Sequence, residues 1–201
     1  MLGPERKSSA MDEQEKKITA YHEAGHAIVA HYSKASDPVH KISIISRGRA
    51  GGYTLKLPER DKHLHSKPEF LADLAVMLGG RVAEEEFFGD ITTGASSDLD
   101  KATKLARQLV TRYGMSEKLG ARTFGHREEM VFLGRDFAEK PDYSEETARQ
   151  IDMEVNGFIE QAHHTARTLI RDHKAKVEQV ATVLIDKETL EREAFEAIMK
   201  A

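Results

Sequence analysis

The sequence predicts a mainly α fold with a small β-hairpin or sheet element and a C-terminal helical bundle. Three observations carry that prediction. Apolar residues recur at helical spacing over most of the chain; only the stretch from Ile42 to Leu57 alternates as strands do; and the part after Asp142 keeps one long apolar face. With 201 residues, 39% hydrophobic and 32% charged, the composition is that of a soluble, helix-rich globular chain of one full-size domain, or one plus a small appendage.

Taken in order, Met1 to Asp12 is polar and without period, a leader or linker stub (1–12). A helical pattern then runs from Glu13 to about Ser33 through Ile18, Ala24, Ala27, Ile28 and Ala30, until Asp37-Pro38 breaks it. Ile42, Ile44 and Ile45, the run Arg47-Gly48-Arg49-Ala50-Gly51-Gly52, and then Tyr53, Leu55 and Leu57 read as two short strands joined by a glycine-rich turn. Pro68 suits the first turn of the next helix, whose stripe is Leu71, Leu74, Ala75, Leu78 and Val82 and which runs out near Gly89. Gly79-Gly80 inside it costs about 1 kcal/mol per glycine relative to alanine, which implies that another backbone packs closely there. A loop, Asp90 to Ser97, leads to a helix from about Asp98 to Tyr113, followed by a turn-rich segment with Gly120, Gly125, Gly134 and Pro141. Asp142 and Glu145 form a capping-box-like start for a long helix, with Ile151, Val155, Phe158, Ile159, Ala162, Ala166, Leu169 and Ile170 as its apolar face. One or two shorter helices finish the chain.

Several function classes are excluded or disfavoured. The formal net charge is -4 and no block of Lys or Arg stands out, which argues against nucleic acid. The absence of cysteine removes disulfides, iron–sulfur clusters and thiolate zinc sites. No apolar run approaches the ~20 residues needed to span a bilayer, and no signal peptide is visible, so any membrane anchor is expected outside this chain.

His22-Glu23-Ala24-Gly25-His26 is an H-E-x-x-H motif on the first helix. Residues four apart lie on one helical face, so both imidazoles can reach one ion. Zinc accepts imidazole nitrogen and lowers the pKa of a bound water towards ~7, so Glu23 is placed to complete its deprotonation. The plain alternative is a solvated His pair, but the flanking residues are apolar and point to a buried face. Ala24 and Gly25 leave room for another element to press against the helix.

Zinc hydrolases usually add a third protein ligand. Val29 and Tyr32 stand where a metzincin extension needs glycine and histidine, and a cysteine ligand is unavailable. The first glutamate after the motif is Glu59, in a polar loop. Thr92 to Asp100 offers two carboxylates at a helix start. Asp98 stacks over Ala102, Leu105 and Leu109, the inward row. Asp100 stacks over Lys104 and Arg107, where it pairs as an ordinary i,i+4 neighbour of Lys104. Asp98 is therefore the candidate, its alternative being a helix-capping aspartate. Glu84, Glu85 and Glu86 are rivals; at least two are expected on a solvated helix end, and one could instead hold a ligating histidine.

The run Thr19-Ala20-Tyr21-His22-Glu23-Ala24-Gly25-His26-Ala27 resembles the peptidase domain of the FtsH family of ATP-dependent zinc metalloproteases. So do Leu78-Gly79-Gly80-Arg81-Val82-Ala83-Glu84-Glu85, Thr92 to Asp98, and Tyr113-Gly114-Met115-Ser116, in the family's order. The resemblance implies a helical zinc-peptidase domain that assembles as a homohexamer, binds one Zn2+ per subunit and cleaves peptide bonds of unfolded or membrane proteins. It implies metal ligands at His22, His26 and Asp98, a general base at Glu23, and at Glu84 a partner of a ligand. It further implies a peptidase core over 13–142, a helical subregion of the same domain over 143–201, and a linker over 1–12 from an ATPase module. Relatives carry that module and a membrane anchor ahead of this domain and sit in the bacterial inner membrane with it on the cytoplasmic side, or in organelle membranes. The chain resembles an excised, soluble C-terminal fragment. It contains no G-x-x-x-x-G-K-[ST] phosphate loop, so no ATP site is expected in it.

The strand containing Gly52, Tyr53, Thr54 and Leu55 is a candidate edge to which an extended substrate could add, or else a plain structural hairpin. Two other readings are a zinc hydrolase acting on a small substrate and an assembly module with a structural or empty metal site. The latter would not need Glu23.

Overall fold

The computed structural model describes residues 12–45, 51–58, 63–125 and 142–201. The linker stub up to residue 11, most of the glycine-rich turn, Glu59, Gly134 and Pro141 lie outside the described residues. Among the described residues, six helices and three short strands follow the order α1 (Glu13–Tyr32), β1 (Val39–Ser43), β2 (Tyr53–Lys56), α2 (Lys67–Phe88), a 3₁₀ turn (Thr93–Ala95), α3 (Ser96–Thr111), α4 (Glu145–Asp172), α5 (Lys174–Lys187), β3 (Thr189–Glu191) and α6 (Arg192–Lys200). The expected mainly α architecture with a small sheet is what is found.

α1 is the central element, packed against α2, α4 and α5. Its crossing with α2 runs backbone to backbone. A Cβ added at Gly25 would collide with the Gly79 carbonyl oxygen and meet Ala83 Cβ at 2.7 Å, and one added at Gly79 would meet Gly25 O at 2.8 Å. The glycine pair expected to mark a close approach does so. α2 starts at Ser66, whose N–H donates to Glu69 Oε2 at 2.7 Å, and ends at Gly89 in the left-handed region (φ 69°).

The two predicted strands pair antiparallel, with Ser43 opposite Tyr53 and Ile42 opposite Thr54. A third strand was not expected. β3 adds to the other side of β1, with Ile42 opposite Leu190, giving the order β2-β1-β3 and leaving β2 at an edge. Because Ile42 is fully buried against the helices, the residue opposite it, Thr54, shares the inward face.

The start of α4 differs from expectation. Ser144 is the cap, its Oγ accepting from the Thr147 N–H at 3.2 Å, while Asp142 Oδ1 accepts from the Gly125 N–H at 2.7 Å. Asp142 thus ties down a neighbouring turn instead of opening the helix. Beyond the cap, Ile151, Val155, Phe158, Ala162, Ala166 and Ile170 are buried along one face as the pattern predicts.

Candidate metal centre

His22, Glu23 and His26 occupy one buried stretch of α1, with 7%, 5% and 8% of their surface exposed. Small residues make that burial possible. A Cβ on Gly80 of α2 would run into the His22 ring, 2.5 Å from Cδ2 and Cε1, so only glycine leaves room for the imidazole.

Each ring is held through Nδ1. That of His22 lies 2.6 Å from Glu84 Oε1, and that of His26 lies 2.7 Å from the Val76 carbonyl oxygen. A carboxylate and a carbonyl only accept, so Nδ1 carries a proton in each ring and Nε2 is turned towards the same point. Both Nε2 atoms lie 3.4 Å from Asp98 Oδ2. One donor atom from each of His22, His26 and Asp98 falls within 4.8 Å of the others. Tetrahedral ligands at zinc's bond lengths stand about 3.3–3.4 Å apart, so the separations to Asp98 and the N/O donor set fit zinc.

The local charge also calls for a cation. Burial alone disfavours the His22 imidazolium, but hydrogen bonds with Asp98 and Glu84 and the charge of Glu23 outweigh it and push the pKa up to about 9. Burial would raise Asp98, yet the two histidines hold its carboxyl well below the usual carboxylate range. Glu84 is 1% exposed; burial opposes its charge, but His22 and the Thr92 N–H, which donates to Oε2 at 2.7 Å, hold it below its ordinary value. A divalent ion between the two imidazoles and Asp98 would balance the buried negative charge of the site.

Glu23 behaves in the opposite sense. Burial pushes its carboxyl up, against the pull of His26, His22 and a hydrogen bond from Thr54. The Thr54 hydroxyl donates to Glu23 Oε2 at 2.8 Å and lies 3.2 Å from the Glu23 carbonyl oxygen. A Cβ on Gly52 would stand 2.8 Å from Glu23 Oε1. Gly52, Tyr53, Thr54 and Leu55, together with Glu23 and Asp98, line an open cleft of about 1140 Å³.

Helical facing separates the two aspartates as expected: Asp98 is mostly covered and Asp100 is exposed. The ion pair on that turn joins Lys101 Nζ to Asp98 Oδ1 at 3.1 Å, instead of the expected Asp100–Lys104 pair. Glu85 and Glu86 also depart from expectation. They are not a solvated helix end but fasten α2 to α4, Glu85 through Arg167 at 2.7 Å and His163 at 3.3 Å, Glu86 through Arg171 at 2.9 Å. Sequence reasoning missed the Val76 carbonyl, the Thr92 N–H and the Thr54 hydroxyl as partners of the site. For the first two no side-chain signal exists. The small residues Ala24-Gly25 and the mid-helix pair Gly79-Gly80 were the visible signs that another helix presses on the motif.

A helical domain whose first helix supplies two imidazoles and a buried glutamate, joined by a carboxylate from a third helix, has the ligands and base of a zinc hydrolase, and the family match that follows makes the class that of the zinc metalloendopeptidases. Residues 9–198 match peptidase family M41, and the chain belongs to that family. It is 52% identical over 198 residues to the ATP-dependent zinc metalloprotease FtsH 1 of Thermomicrobium roseum, covering 98% of this chain and 30% of that protein. The corresponding protein of Conexibacter woesei is 49% identical over 199 residues, covering 99% and 30%. ATP-dependent zinc metalloprotease FtsH of Rubrobacter xylanophilus is 50% identical over 200 residues, covering 100% and 31%. The chain therefore spans under a third of the length of these relatives.

Proposed function

We propose that this zinc-dependent endopeptidase domain is the cutting part of a membrane-anchored, ATP-dependent protease that degrades unfolded or membrane proteins. The observation that carries the reading is the convergence of His22 Nε2, His26 Nε2 and Asp98 Oδ2 on one point at the foot of a cleft edged by β2. His22, His26 and Asp98 would hold the metal, and Glu84 would orient His22. Bound there, zinc supplies Lewis acidity towards the scissile carbonyl and the attacking water. Glu23 takes the proton of that water and passes it to the leaving amine. Among the described residues β2 is the outermost strand of the sheet, and its edge pairs with the backbone of an extended polypeptide, which suits substrates of varied sequence.

In the machine-level reading, ATP dependence follows the relatives' names and the rest follows the family resemblance. That reading includes a homohexameric ring, an ATPase module that joins through the linker of residues 1–12, and membrane attachment outside this chain with the domain on the cytoplasmic side. Among the described residues no helix is long and apolar enough to cross a membrane. Residues 13–142 would be the peptidase core, with 143–201 a subregion of the same domain. The packing of α4 on α2 and α5 on α1 supports one domain.

The test is digestion of casein by the zinc-loaded chain. Cleavage should stop with a chelator, return with zinc, and fall about 10²–10⁴-fold in Glu23→Gln. Undiminished zinc-dependent cleavage by Glu23→Gln would remove Glu23 as base. Absence of chelator-sensitive cleavage by the parent would remove the peptidase reading.

A further inference from the structure

We infer that Thr54 is a positioning residue, whose hydroxyl sets the direction in which the Glu23 carboxylate faces. The inference rests on the peptidase reading above and adds a second duty to β2. Glu23 leaves α1 on a flexible side chain, and the torsion that aims its carboxylate is soft. Among the described residues the hydrogen bond to its carboxylate comes from outside α1.

The strand decides it. Pairing of Ile42 with Thr54 turns Thr54 inward, and Gly52, just before the strand, comes up against the same Glu23 side chain. The Thr54 hydroxyl donates to Oε2 at 2.8 Å. On the other side a Cβ on Gly52 would stand 2.8 Å from Oε1 and 2.9 Å from Cγ, so the bare glycine backbone closes in on the same side chain. One oxygen is held by a hydrogen bond and the other is confined by the main chain. The acceptor is buried, so the hydrogen bond is made away from competing water. The backbone edge that would receive the substrate and the side chain that aims the base thus belong to one strand, and substrate and base are placed by the same piece of backbone.

The test compares zinc-loaded parent, Thr54→Val and Thr54→Ser on a casein-derived peptide, with kcat and KM separated and bound zinc measured for each. Valine keeps the shape and loses the hydroxyl; serine keeps the hydroxyl. Thr54→Val should lower kcat about 10–100-fold, the scale of a misplaced catalytic group, with KM within about twofold and zinc retained, since the backbone edge is intact. Thr54→Ser should stay within about threefold of the parent. A crystal structure of Thr54→Val should show the Glu23 carboxylate displaced. The inference is overturned by a Thr54→Val kcat equal to the parent's, by equal losses in the valine and serine variants, or by a Glu23 carboxylate that has not moved. A parent chain without chelator-sensitive cleavage overturns the peptidase reading, and this inference with it.

Discussion

Helix α2 is packed on two sides by different means. Towards α1 it offers Gly79, Gly80, Ala83 and Glu84, so the contact is made by backbone and by the histidine ring itself. Towards α4 it meets a broad apolar face and the pairing of Glu85 and Glu86 with Arg167 and Arg171. The first contact has no volume to spare, and one added methyl group strikes a carbonyl or an imidazole. The second is an ordinary core, in which the cost comes from removing atoms. The site sits in the first contact because two ring nitrogens must be held to within tenths of an ångström. The second supplies the stability that lets the first be so sparing.

The sharpest break of this contrast is Gly80→Ala. Its Cβ would fall inside the His22 ring's contact distance, so zinc binding should be lost and cleavage should fall at least about 100-fold, read by bound zinc and casein digestion. On the other face Ile170→Ala, at a fully buried position, should cost about 3 kcal/mol in urea unfolding. It should leave kcat/KM of the folded fraction unchanged; a fall in kcat/KM would show that the two faces are coupled. Third in size, Glu84→Gln should weaken zinc binding about 10–100-fold, the usual scale for a partner of a ligating histidine, measured by competition with a chelator while the fold survives.

The smallest effect concerns Glu154 on α4, which accepts from Ser116 Oγ at 2.7 Å and pairs with Lys118 at 2.9 Å. Burial opposes its charge, but Lys118 and Ser116 outweigh that and lower its pKa below the ordinary 4.5. A depressed folded-state value adds stability above the unfolded pKa and loses it as pH falls through the folded one. Glu154→Gln should therefore cost about 0.5 kcal/mol at neutral pH and nothing at the acid end, so unfolding curves of parent and variant should converge below pH 4.5.

The residues of the site could be read from the sequence where the signal is local. The H-E-x-x-H spacing, the mid-helix glycines and the facing of Asp98 against Asp100 all depend on neighbours within one or two turns. What escaped depends on partners far along the chain. The Thr54 hydroxyl reaches back 31 residues to Glu23, and Glu86 reaches forward 85 to Arg171. β3 is only three residues long, too short for alternation to show, and it exists because β1 offers it an edge. Asp142 at the approach to α4 looked like a cap, yet Ser144, two residues later, met the N–H instead.

That third strand also orders events during synthesis. A two-stranded hairpin is marginal alone in water, and the strand that completes this sheet lies almost 150 residues beyond β1. The motif helix precedes β3 in the chain, so the wall against which its glutamate leans gains its last support only when Thr189–Glu191 emerge. A nascent chain therefore carries the histidines and their glutamate well before the sheet behind that glutamate is complete.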